Sequence, residues 1–200
     1  MKRNKSVAII GEGETEWFYF ESLRTTRRYP FKIQPGFPQH ADISHFIKMA
    51  ESYAKDSYDY VICLIDMDRL KSNSTEMSIY QKAKNEYTKN NRTIQFVETY
   101  PCTELWFLLH FLPVGTVRKY NSCDEILPEL RKHIPGYEKS KKYLKRADLY
   151  RFISQNGNLE VAKQNAAKLC ELSKNNPEDN IAYSEIHKVF ELLEKLNPVK

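Results

Sequence analysis

The chain predicts an α/β fold, a mostly parallel sheet flanked by helices, followed by a helical C-terminal region. Three observations predict it. The first half repeats a short apolar run followed by a segment of helical periodicity, the sequence form of βαβ units. Tyr60-Val61-Ile62-Cys63-Leu64-Ile65 places six apolar or aromatic residues in a row, which suits a central strand covered on both faces. After Pro113-Val114-Gly115 the strand signals stop and only helical patterns follow.

Ser6-Val7-Ala8-Ile9-Ile10 reads as a short buried strand, and Thr15 to about Leu23 as a helix with Trp17, Phe18, Phe20 and Leu23 on its apolar side. Phe31-Lys32-Ile33-Gln34 alternates and is expected to end at Pro35-Gly36. Asp42 or Ser44 caps the next helix, which buries Ile43, Phe46, Ile47, Ala50 and Tyr53. A helix from about Thr75 to Tyr87 precedes a fourth strand, Thr93-Ile94-Gln95-Phe96-Val97. Pro101 then starts Cys102 to Leu112, apolar nearly all round and therefore a buried helix. Helices are expected near 123–133, 143–154, 158–174 and 183–195, broken at Pro135-Gly136 and Asn156-Gly157. The division is expected at 112/113, with an α/β domain over 1–112 and a helical, basic extension over 113–200 packed on it.

The 200 residues, 41% hydrophobic and 28% charged, have a globular composition that bounds the answer to one large or two small domains. No run approaches the roughly 20 apolar residues of a membrane span. Met1 to Lys5 leads into only five apolar residues, too few for a signal-peptide core, so a cytoplasmic protein with no membrane partner is expected. Cys63, Cys102, Cys123 and Cys170 stand far apart with no Cys-x-x-Cys, and are expected to be reduced, mostly buried thiols. The net charge is +5, yet residues 131–151 alone hold eight Lys/Arg against two acidic side chains, a local +6. Lys139, Lys141, Lys142, Lys145 and Arg146, interleaved with tyrosines, suit a nucleic-acid backbone; a solvated basic face is the alternative.

In an open parallel sheet, ligands gather beyond the carboxyl ends of the strands, and here those ends are acidic. The first strand leads into Gly11-Glu12-Gly13-Glu14-Thr15-Glu16, and the central strand into Asp66-Met67-Asp68-Arg69. Side chains two apart on an extended chain point the same way, so Asp66 and Asp68 are expected to project toward one point, within reach of Glu12. Three carboxylates held close repel one another unless a cation neutralises them. All-oxygen donors without a His or Cys pair favour Mg²⁺ or Mn²⁺, with water and phosphate oxygens completing the shell. Helix capping by Thr15 or Glu14, with Glu16 near the positive helix end, is the structural alternative. A dinucleotide-binding loop is excluded because Glu16 replaces the third glycine, and a Walker loop because no Gly-Lys-Ser/Thr follows.

A glutamate after the first strand and Asp-x-Asp after a later one resemble a Toprim domain, the metal-binding module of topoisomerases, primases and certain nucleases. Glu12-Gly13-Glu14-Thr15-Glu16 with Tyr19-Phe20, Tyr58-Asp59 before Asp66-Met67-Asp68, Pro101-Cys102-Thr103-Glu104-Leu105-Trp106, Tyr137-Glu138-Lys139-Ser140 and Ser184-Glu185-Ile186-His187 resemble the RloB-like family over nearly the whole chain. The resemblance implies a Toprim nuclease of phage-defence loci, often beside an ATPase partner. It implies Glu12 as general acid or base, Asp66 and Asp68 on Mg²⁺, Glu12 close enough to share the cation, and Glu104 as a further ligand or water-orienting group. A first-turn carboxylate complementing the helix dipole is the other reading of Glu104. Glu16 and Glu98 are weaker candidates, and His110 is expected to be a hydrogen-bonded core residue.

The expected activity is Mg²⁺-dependent hydrolysis of DNA or RNA phosphodiesters in antiviral, abortive-infection defence. The alternative is a non-catalytic subunit that binds nucleic acid or an ATPase partner. Self-association is left open by the sequence.

Overall fold

Alternation along each strand divides the apolar residues between two faces, and this division builds a sheet with a core on each side. The computed structural model describes residues 5–29, 32–37, 42–90 and 93–197. The strands are β1 (Ser6–Ile10), β2 (Lys32–Gly36), β3 (Tyr60–Asp66), β4 (Ile94–Tyr100) and β5 (Tyr183–Ser184), in the order β2-β1-β3-β4-β5. The first four are parallel, and β5 runs antiparallel to β4. Val7, Ile9, Ile62 and Leu64 face one core; Ala8, Ile10, Val61, Cys63 and Ile65 face the other.

Helices α2 (Ile43–Lys55), α3 (Met67–Lys71) and α4 (Ser74–Asn90) cover the second face, while α1 (Glu14–Arg27) and α5 (Glu104–Leu109) cover the first. Asp42 caps α2 by accepting the His45 N–H at 3.0 Å. Every residue of α5 is buried, as its all-round apolar sequence requires. The C-terminal segment adds α6 (Cys123–His133), α7 (Lys141–Ala147), α8 (Leu149–Asn156), α9 (Leu159–Asn175) and α10 (His187–Leu196). Their apolar faces, including Val189, Phe190 and Leu193 of the last helix with Ile186 just before it, join the core that begins with Val7 and Ile9.

The structure departs from the expected elements in physically legible ways. β2 runs through Pro35 to Gly36 because it is an edge strand, where a residue without an N–H is tolerated; Phe31 lies outside the described residues. The expected helix over 143–154 is two helices, divided at Asp148, whose φ of 43° is left-handed. The last helix starts at His187 because Tyr183 and Ser184 pair with Tyr100 and Thr99. The cysteines were expected to be reduced thiols, but Cys102 and Cys123 form a disulfide. Their 21-residue separation hides the proximity that packing of α5 against α6 creates. Cys63 and Cys170 are free. No helix among the described residues is long and apolar enough to cross a membrane.

α1 is tied to α5 by one buried polar contact, Trp106 Nε1–H donating to Tyr19 Oη at 2.9 Å. Both rings are fully buried, so nothing replaces the acceptor if it is removed. Tyr19→Phe is expected to leave the indole N–H unsatisfied and to lower the unfolding free energy by about 1–3 kcal/mol, with an unchanged urea m-value. Urea denaturation of the two proteins measures it.

Candidate functional site

The strand order reverses between β1 and β3: β2 lies to one side of β1, and β4 to the other side of β3. Chain segments leaving these two neighbouring carboxyl ends diverge, and the crevice that opens between them is where open α/β sheets bind ligands. Glu12 leaves β1 at this crevice and Asp66 ends β3 beside it.

The two are joined directly. Glu12 Oε1 accepts the backbone N–H of Asp66 at 3.1 Å, and its Oε2 accepts Arg69 Nε–H at 3.2 Å. Arg69 is held in turn by Glu76 of α4. Burial raises the Glu12 pKa against the opposing influence of Arg69.

Glu16 belongs to the same cluster. It is the third residue of α1, and its carboxylate turns back to accept the Gly13 N–H at 3.0 Å, closing a capping arrangement. A Cβ on Gly11 would lie 2.2 Å from Glu16 Cβ, so this glycine makes room for a carboxylate side chain. Burial raises the Glu16 pKa; Thr103 opposes the shift by hydrogen bonding, and Glu104 adds to it by its charge.

Thr103 Oγ1 also donates to Asp66 Oδ1 at 3.3 Å. Asp66 is held well above the usual carboxylate range, first by burial and then by the charges of Glu16, Glu12 and Glu104, with Lys139 opposing. Four carboxyl groups, one from the loop after β1 and the others from α1, β3 and α5, therefore meet at this edge.

Glu104, at the start of α5, is 1% exposed. Tyr137 Oη donates to its Oε1 at 2.8 Å, and Lys139 Nζ lies 3.0 Å from its Oε2. Cys123 Sγ is 3.3 Å from that same oxygen. Among the described residues, Cys102, Glu104 and Cys123 form the one trio with donor atoms within 4.8 Å of one another, and there the two sulfurs are bonded together.

Asp68 lies two residues beyond Asp66, in the first turn of α3. Helix α3 begins at Met67, directly after the strand, so the extended-chain alternation expected to align Asp68 with Asp66 is replaced by helical rotation. The Asp68 side chain is exposed. His110 is buried just past the far end of α5 from Glu104, its Nδ1 2.9 Å from the Trp106 carbonyl oxygen, and burial lowers its pKa to about 4. Glu98 is occupied by Lys84, Tyr80 and Tyr183.

The basic run divides between two tasks. Lys139 meets Glu104, and Lys141 pairs with Glu14 at 2.8 Å. Lys142 and Arg146 instead line an open cavity of about 430 Å³ with Glu138, Ser140 and Tyr143. Lys145 is exposed on the same helix, α7.

The residues that sequence reasoning underweighted are Glu16, Thr103, Arg69 and Lys139. The spacing from Gly13 to Glu16 carried a capping signal, whereas the partners of Asp66 and Glu104 come from segments remote in sequence and had none.

The donor set suits a hard cation, since Glu12, Glu16, Asp66 and Glu104 offer only oxygens. Magnesium ordinarily takes one or two protein carboxylates plus water and phosphate oxygens, so a closed trio of carboxylates is not required. Asp66 and Glu104, both touched by donors at the same edge, are the candidates to hold it, and Glu12 is linked to Asp66 through the Asp66 N–H and held by Arg69.

A family model described as RloB-like protein matches residues 7–196. No curated protein and no solved structure matches the chain.

The raised carboxyl pKa values carry a sign for stability. Such a group stays protonated in the fold while it ionises in the unfolded chain, so metal-free stability falls as pH climbs from about 4 through the raised folded value. Asp66→Asn removes its own share and relieves its neighbours. Melting in a chelator at pH 5 and pH 8 is expected to show a larger loss for the wild type than for Asp66→Asn.

Proposed function

The chain belongs to the RloB-like family, and from that premise we propose that it is a metal-dependent nuclease of Toprim type, hydrolysing nucleic-acid phosphodiester bonds in antiviral, abortive-infection defence. The observation that carries the proposal is the convergence of Glu12, Glu16, Asp66 and Glu104 at the crevice between β1 and β3, with a basic helix beside it. Acidic ligands next to exposed cations match a substrate that is itself a polyanion bridged to the protein by Mg²⁺ or Mn²⁺.

A divalent cation bound there supplies stabilisation of charge on the phosphoryl oxygens and lowers the pKa of coordinated water. Asp66 and Glu104 would hold it, and Thr103 and Tyr137 fix their orientation by hydrogen bonds at 3.3 and 2.8 Å. Glu12 transfers the proton to or from water or the leaving oxygen; its raised pKa brings it closer to working pH. Arg69 and the Asp66 N–H keep its two oxygens in place. Lys142, Lys145 and Arg146 contact phosphates away from the scissile bond. Such contacts set position along the strand without reading bases, so the substrate assignment remains nucleic acid as a class, DNA or RNA. An ATPase partner is part of the proposed cellular assembly, as the family resemblance implies.

End-labelled DNA and RNA, each single- and double-stranded, incubated with Mg²⁺, Mn²⁺ or EDTA test this reading. Cleavage is expected with either metal and none with EDTA. Glu12→Gln is expected to reduce the rate by about 10²–10⁴-fold, the usual contribution of a positioned acid or base. Asp66→Asn is expected to reduce it to background, and Asp68→Asn, at an exposed position, to reduce it less. Equal cleavage by wild type and Asp66→Asn overturns the assignment.

A further inference from the structure

Glu104 is nearly inaccessible, while the lysine that neutralises it is not: the Glu104 side chain is 1% exposed and that of Lys139 46%. The ammonium group thus lies between a buried carboxylate and solvent, as a cap on one side of the acidic cluster. Its charge also reaches Asp66, where it opposes the upward shift that burial and the neighbouring carboxylates produce. We infer that Lys139 is an internal counter-ion occupying the place of the divalent cation, and that cation entry and Lys139 departure are one exchange. The inference rests on the metal reading proposed above.

The local geometry permits the exchange without rebuilding the backbone. Two residues before Lys139, Tyr137 is fully buried and donates to Glu104 Oε1, leaving Oε2 as the oxygen that Lys139 faces. One residue after it, Ser140 caps α7 by accepting the Tyr143 N–H. The chain is pinned on both sides, so the movable part is the lysine side chain, a compact charge on a flexible four-carbon stem.

A divalent ion at Glu104 Oε2 and an ammonium group 3.0 Å from the same oxygen repel strongly at a partly buried site, which makes the two occupants exclusive. Arg69 is a poorer candidate for this role, being held between Glu12 and Glu76. Released from Glu104, Lys139 extends toward Ser140 and Lys142 at the rim of the 430 Å³ cavity. Metal binding thereby adds a cation to the surface that meets phosphate, and by linkage polyanion binding favours metal entry.

Mn²⁺ titration at pH 8, read by electron paramagnetic resonance of the free ion, tests the exchange without requiring cleavage. Lys139→Met is expected to bind Mn²⁺ about tenfold more tightly than wild type, the scale of one removed charge contact. Lys139→Arg is expected to stay near wild type. In the wild-type protein, saturating Mn²⁺ is expected to raise the acylation rate of Lys139 several-fold, measured by mass spectrometry, relative to that of exposed Lys145. Equal or weaker Mn²⁺ affinity in Lys139→Met, or an acylation rate indifferent to Mn²⁺, overturns the exchange while leaving the metal site standing. Absence of Mn²⁺ binding in the wild type and both variants overturns the metal reading and the exchange together. If Lys139→Met fails to fold, the acylation measurement on the wild type decides.

Discussion

Burial of like charge at the carboxyl ends of β1 and β3 is the constraint that the surrounding structure answers. An ionised carboxylate removed from water without a partner costs several kcal/mol, and here four carboxyl groups share one crevice. Each is supplied with donors: the Asp66 N–H and Arg69 for Glu12, the Gly13 N–H for Glu16, Thr103 for Asp66, and Tyr137 with Lys139 for Glu104. These donors do not offset the burial, which raises the pKa of Glu12, Glu16 and Asp66, with neighbouring carboxylate charge adding to it. A fold that retains such an arrangement keeps a stability penalty, a common mark of residues held for function.

This constraint also explains why the helical extension belongs to the site. Tyr137 and Lys139 lie beyond the compositional division near residue 113, yet they satisfy the most deeply buried carboxylate of the α/β portion. β5 extends the sheet, and α6 to α10 complete the core on the α1 side. The Cys102–Cys123 disulfide crosses the same junction one turn from Glu104. The change in sequence pattern at 113 therefore marks a change in local structure, while packing continues across it.

The elements legible in the sequence were those whose residues report their own environment. β3 announced itself by a continuous apolar run and α5 by apolar residues on every side, because burial on all faces leaves no polar positions. Glu12 and Asp66 were legible because an acidic residue directly after a buried strand has a defined place in a parallel sheet. The conformation around Asp68 was not legible because the strand passes into α3 without a loop, and nothing in Met67-Asp68-Arg69 separates an extended continuation from a helix start. β5 escaped notice because two residues carry no periodicity and derive their structure from β4 alone. The pairing of Lys139 with Glu104 and that of Cys102 with Cys123 depend on tertiary packing, to which local patterns are blind.

The basic run shows how tertiary context changes the meaning of charge. Counted along the chain, residues 131–151 form a patch of +6 suited to a polyanion. In the fold, Lys139 and Lys141 turn toward acidic residues, and Arg151 pairs with Asp148, so part of that excess is internal compensation. What remains facing the open cavity is smaller, with Lys142 and Arg146 at its core. A nucleic acid approaching this surface meets fewer free cations than the sequence count suggests, unless a divalent ion takes over the charge that Lys139 now balances. On the proposed reading, metal and nucleic-acid binding would be coupled through the charge of Lys139 within one crevice, a linkage that asks for no change in fold.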